Sequence, residues 1–208
     1  MKKTKKLKTL KKTICTLLAC VLLGTASMSM LTGCDNIEIT FNTNRGISND
    51  IFSAQISLDG NIYTLPCDCT ELIDNGWSVD PEYSDKKISA NDYKTIPFVK
   101  GDISIKVQLY NPSQSKAKPE ECDVCGLMVD LYAIESGLKV ILPGKLEITD
   151  ELKEEDVINK YGEPQDNDNV AIATMLTYKN DESVTFIISF SGVTGEFLTL
   201  FLVNSSKD

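Results

Sequence analysis

The sequence predicts an α+β fold, two helix-plus-antiparallel-meander repeats behind an N-terminal leader. Three observations predict it. Apolar and polar residues alternate with period two through several segments of strand length, as half-buried strands require. Two short helical stretches each stop at a glycine, Gly76 and Gly162. The order strand, short helix, three strands is met twice, which reads as an internal repeat. The expected boundaries are 1–33 for the leader, 34–50 for a tether, 51–135 for the first repeat and 136–208 for the second.

The leader begins with Lys2, Lys3, Lys5, Lys6, Lys8, Lys11 and Lys12. Residues 14–23 are apolar and too short for an ordinary membrane span. Residues 24–29 are small and polar, and no acid occurs before Asp35. This is the pattern of an export signal. An uncleaved anchor helix is the other reading, and both export the rest of the chain. The leader closes on Leu31-Thr32-Gly33-Cys34. It resembles a bacterial lipoprotein signal peptide with residues 31–34 as the lipobox. The resemblance implies a diacylglyceryl group on the Cys34 sulfur and cleavage before Cys34. It also implies a lipid-anchored product on the outer face of the bacterial cytoplasmic membrane. Two acyl chains, at about 0.8 kcal/mol per buried methylene, suffice for stable anchoring.

Residues 35–50 are polar and rich in Asn and Thr, as a tether is, although Ile37, Ile39 and Phe41 alternate like a short strand. Residues 56–65 predict a hairpin, because Asp59-Gly60 between apolar runs favours a type I′ turn. A helix is expected over residues 69–75, with Asp68 or Thr70 near its N-cap and Gly76 just past its end. Leu72 and Ile73 face inward, and Trp77 is a packing anchor. Residues 81–92 are a loop. Strands follow over 93–99 and 102–110, then a charged loop over 111–121. Residues 127–132 alternate and predict a third strand.

The second repeat opens with a strand over 138–142 entering Pro143-Gly144. A helix lies within residues 148–161. Leu152 falls off the face shared by Val157, Ile158 and Tyr161, so the regular helix starts near Lys153 or Glu154. Residues 165–169 are a loop. Strands are expected over 171–178, 183–190 and 196–204.

Three pairs of stretches carry the repeat: TELIDNGW with EDVINKYGEP, DISIKVQLYN with SVTFIISFSG, and GLMVDLYAI with EFLTLFLVN. The stretch ITDELKEEDVINKYGEP followed by a meander resembles the repeat of the beta-lactamase inhibitory protein and of small outer-membrane lipoproteins of the SmpA/OmlA type. ISLDGNIYTLP with LIDNGW resembles a start that recurs in lipoproteins of Gram-positive bacteria. The resemblance implies a sheet with helices on one face and the other face free for a protein partner. It implies no catalytic residue. The charged loop over 111–121 and the cysteines depart from the inhibitor-like pattern.

Composition narrows the chemistry. The chain of 208 residues carries a net charge of −9. Cleavage before Cys34 removes 33 residues, seven lysines and no acid, leaving 175 residues at −16. Such a surface disfavours nucleic acid and stands off anionic lipid heads. There is no histidine. That excludes Ser-His-Asp and Cys-His catalysis and histidine-ligated metals. No cofactor and no metal are expected.

Cys15 and Cys20 lie in the leader, leaving Cys67, Cys69, Cys122 and Cys125 beyond Cys34. An even set outside the cytosol permits two disulfides in three connectivities. Free buried thiols, a four-thiolate metal site and a redox dithiol are the alternatives. Residues 166–169 lack the glycine and distal glutamate of a calcium loop and read as a solvated turn. Glu151, Glu154, Glu155 and Asp156 complement a helix N-terminus rather than form an acid pair. Ser191-Gly192 reads as a hairpin turn.

On the first meander the residues away from the core are Ser104, Lys106, Gln108, Met128, Asp130 and Tyr132, an ordinary solvated surface. On the second they are Thr185, Ile187, Phe197, Thr199 and Phe201, which is more apolar than an open face needs. Either the rest of the chain covers this patch or a partner does. The function expected is a membrane-anchored, non-enzymatic module binding a protein or envelope component. A thiol or metal protein of the envelope and a carboxylate-dependent wall hydrolase are the alternatives.

Overall fold

Polypeptide alternation translates directly into strand pairing in the computed structural model, which describes residues 46–205 apart from 171 and 182. The leader, Cys34 and the tether as far as residue 45 lie outside the described residues. Strands β1 (Gln55–Leu58) and β2 (Asn61–Thr64) form the expected hairpin. Its turn residues Asp59 and Gly60 have φ of 51° and 85°, the left-handed pair a type I′ turn demands. Strand β3 (Cys67–Asp68) leads into helix α1 (Cys69–Asp74), and the Asp68 carboxylate accepts from Thr70 N at 2.8 Å. Strands β4 (Ser78–Val79), β5 (Tyr93–Lys100), β6 (Ile103–Tyr110) and β7 (Asp123–Asp130) follow. Helix α2 (Leu131–Glu135), strands β8 (Val140–Leu142) and β9 (Leu146–Ile148), and helix α3 (Glu154–Tyr161) come next. The chain ends in β10 (Asp166–Val170), β11 (Ala173–Lys179), β12 (Val184–Ser191) and β13 (Phe197–Asn204).

The fold is α+β, and every ladder among the described residues is antiparallel. A small sheet runs β2-β1-β8-β9. A nine-stranded sheet runs β10-β11-β12-β13-β7-β6-β5-β4, with β3 paired to the start of β7. Residues on either side of the expected boundary at 135/136 therefore share both sheets: β1 pairs with β8, and β7 with β13. One core joins Ile56 and Leu58 of the small sheet, Leu72 of α1 and Val157 of α3 to Phe98, Val107, Val129, Phe186 and Leu200 of the large one. Trp77 is buried in it, and Lys100 lies over its ring at 5.7 Å from the centroid.

Four expectations are corrected. Residues 46–50 are not free tether: Ser48 O accepts from Gly144 N at 2.6 Å, and Asp50 caps the turn Ile51–Ser53. The strand expected over 127–132 starts at Asp123 and stops at Asp130, whose carboxylate accepts from Ala133 N at 3.0 Å and starts α2. Tyr132 is consequently on a helix and 64 % exposed, off the sheet face. Residues 165–169 are not a loop: 166–170 form an edge strand against β11, where polar side chains suit an edge that faces water. The fourth correction, at Phe197, belongs to the candidate site.

Candidate functional site

Two regions gather the candidate residues: the thiols around α1 and the outer face of the large sheet. The thiols follow from register. Cys67 stands opposite Val124, and Asp68 opposite Asp123. The ladder stops there, and just past its end Cys69 N donates to Cys122 O at 3.3 Å. Cys69 and Cys122 belong to the core, and Cys67 packs against it. Cys125 is buried as well but is not part of that core. It sits where the pairing of β6 with β7 shifts register, with its thiol directed to Gln108 O at 3.2 Å.

All four cysteines are thiols in the structure. Burial pushes Cys67 and Cys69 up to about 12, with Glu71 and Cys69 adding to the first and Glu120 and Cys122 to the second. Burial likewise raises Cys122 and Cys125 to about 11. A reactive or metal-binding cysteine works as the thiolate, so these surroundings disfavour nucleophilic use. Among the described residues no group of three or more Cys, Asp or Glu is placed to hold a metal ion.

The second region is a cross-strand row. Ile187 on β12 stands opposite Phe201 on β13, and Phe201 opposite Met128 on β7. Thr177 and Lys106 extend the row at its two ends. A parallel row runs through Thr185, Val203, Gly126 and Gln108. Ile187, Phe201, Met128 and Val203 are half-buried, and none belongs to the core or packs against it. The expected residues Thr185, Ile187, Thr199 and Phe201 thus lie together on the face away from the helices.

Phe197 does not join them. It is fully buried and meets Phe190 edge to face, with centroids 6.5 Å apart. The cause is a bulge. Ser189 pairs with Thr199 but Phe190 pairs with Phe197, so Leu198 is an extra residue on β13. One inserted residue turns every side chain before it to the other face. Strict alternation through residues 196–204 misplaces Phe197 for this reason. It also predicts Leu198 inward beside Leu200 and Leu202, whereas only the latter two are buried in the core.

Met128 and Val203 were missed as candidates. Met128 reads as solvated surface when the first meander is taken alone. Its apolar setting arises because β7 pairs with β13, and no local signal in either strand announces a pairing so distant in sequence.

A separate cleft of about 450 Å³ is lined by Leu131, Glu135, Asp150, Glu151, Lys153 and Glu196. Its four carboxylates are exposed. A general acid that must hold its proton near neutral pH is made by burial or a close second carboxylate. Among the described residues no helix is long and apolar enough to cross a membrane. Comparison of the chain with protein-family models, curated proteins and solved structures finds no match.

Proposed function

We propose that the chain is an extracytoplasmic lipoprotein, anchored through Cys34, whose sheet face binds a protein of the cell envelope. The observation that carries this is the row Ile187, Phe201, Met128. It places apolar side chains on the open side of a wide sheet and uses none of them in the core. Contiguous apolar surface of this kind marks interaction sites in soluble domains. The module is read as non-enzymatic, since binding needs only shape and apolar area. Nucleic acid is the wrong partner for a product at −16.

The repeat reading goes with this proposal. In each half a hairpin precedes a helix and a three-strand meander, and both sheets read alike from either end: hairpin against hairpin, third meander strand against third. A duplicated ancestral unit, paired about a local dyad, accounts for that order. The binding row then straddles the seam between the two copies.

The test uses the full chain in bacterial cells. Ile187→Ser with Phe201→Ser is expected to move the melting temperature by no more than about 2–4 °C, as surface changes do. The same pair should abolish cross-linking to the envelope partner captured by wild type. Phe197→Ser, a core truncation, should instead cost about 3–5 kcal/mol. Unchanged capture by the stable double variant would remove the face from the function. Cys34→Ala should release the protein from the membrane fraction, and wild type found in the aqueous phase would end the anchor reading.

A second reading, a wall-glycan hydrolase, would draw its acids from the cleft that Glu135 and Glu196 line. Release of soluble glycan fragments by wild type, lost in Glu135→Gln with Glu196→Gln, would promote it. No release at any pH between about 4 and 7 would retire it.

A further inference from the structure

We propose that, among the four cysteines of the described residues, Cys69 and Cys122 form a disulfide in the exported chain, leaving Cys67 and Cys125 as thiols. The ladder pairs Cys67 with Val124 and Asp68 with Asp123 and stops there; Cys69, the first residue of α1, and Cys122 flank its end on the two chains. Their backbones are joined by the 3.3 Å hydrogen bond from Cys69 N to Cys122 O. Backbones joined by such a bond lie close enough for the Cα separation of about 4.4–6.8 Å that a disulfide spans. Both residues belong to the same core, and the Cys122 thiol donates to Lys118 O at 3.2 Å, a contact that closing the bond gives up.

The other pairings fail on geometry. Cys67 is diagonal to Cys122, and diagonal neighbours stand about 7–8 Å apart. Cys125 lies outside the core that holds Cys69 and Cys122 and against which Cys67 packs. It reaches neither Cys67 nor Cys69 without crossing the sheet. Of the three connectivities that four cysteines allow, none forms completely.

Burial first, and then Asp68, Glu71, Glu120 and Asp123, disfavour thiolates there once the chain is folded, and a thiolate is what attacks a carrier's disulfide. The oxidant is a disulfide-bearing carrier of the export compartment. Cys69 and Cys122 lose two electrons and two protons as their S–S bond forms. The carrier's disulfide takes up both and leaves as a dithiol. Because both sulfurs are buried, the bond closes while the chain folds.

This inference rests on the export reading, and the experiment separates the two. Full chain from the membrane fraction is denatured in alkylating reagent without reductant, then digested and mapped. The expected result is a Cys69–Cys122 link, with Cys67 and Cys125 both alkylated. Cys67→Ser should keep the link. Cys69→Ser should free Cys122 and lower the melting temperature by roughly 5–15 °C, the loss of a bridge closing a loop of about 50 residues. Four alkylated thiols in membrane-fraction protein overturn the bridge and leave the anchor standing. A link through Cys67 or Cys125 overturns it too. Soluble-fraction protein that forms the Cys69–Cys122 link in glutathione disulfide supports the bridge and sinks the anchor.

Discussion

Asn111 is a buried polar side chain that ties two loops together. It is fully buried, and its Nδ2 lies within 3.0 Å of the carbonyl oxygens of Ile88, Ser89 and Ser115. Its Oδ1 accepts from Ser113 N at 3.0 Å. Two long loops that the sequence marks only as polar are tied together by this amide, and the Ile88–Ala117 bridge lies beside it. Asn111→Ala takes a donor from Ser89 O and the acceptor from Ser113 N, while Ile88 O keeps Ala117 N and Ser115 O keeps Ser113 Oγ. We expect a loss of about 1–3 kcal/mol in urea unfolding, the cost of leaving a buried polar group unpaired. Asn111→Asp should fare no better, because a carboxylate keeps the shape but cannot donate. A loss below about 0.5 kcal/mol would show that water replaces the amide. Nothing in the sequence singles out Asn111, since an asparagine opening a loop is ordinary until the carbonyls around it are known.

At the scale of elements, α3 is held by two tyrosines rather than by its own length. Tyr161 OH donates to Pro143 O at 2.7 Å, and Tyr178 OH donates to Gly162 O at 2.9 Å. The rings meet edge to face at 5.9 Å. Burial pushes Tyr178 up to about 12, helped by Glu163 and Glu154, and burial also raises Tyr161. An unfolded tyrosine releases its proton near pH 10, so above that the unfolded state binds fewer protons than the folded one. Stability from this pair is full below about pH 10 and is lost as pH rises toward 12. Tyr161→Phe with Tyr178→Phe should lose about 1–2 kcal/mol at neutral pH and flatten that alkaline fall. A melting-temperature profile over pH 8–11 reads both. An alkaline fall as steep as in wild type would assign it elsewhere, Tyr63 first, which burial also raises to about 12. Helix α3 itself was legible: its start at Glu154 follows from Leu152 falling off the apolar face, and its stop from Gly162 at φ 82°. The Asp59-Gly60 hairpin and α1 were legible for the same local reasons. Strand β10 was not, because an edge strand of polar residues has the composition of a loop. The bulge at Leu198 was not, because alternation assumes an unbroken register. Of the candidate face, Ile187 and Phe201 were readable from period two, and their neighbour Met128 was not.

For the whole molecule, the decisive feature is the seam where β13 lies between β12 and β7. The strand nearest the chain's end closes the middle of the sheet, not its rim. Early folding is thereby denied a central partner: with β3 on residues 123–124, β7 keeps its edge over residues 126–130 open until β13 pairs there. Contacts this distant in sequence slow folding and leave open edges for stray pairing. The two halves also hold complementary edges at both sheets. Residues 34–135 and 136–208, produced separately, should each lack cooperative melting, and mixing them should restore it at a 1:1 ratio. Either half folding cooperatively alone would show that the seam joins two finished parts. The interlock makes the chain reassemblable from two pieces, a property that neither half-sheet holds by itself.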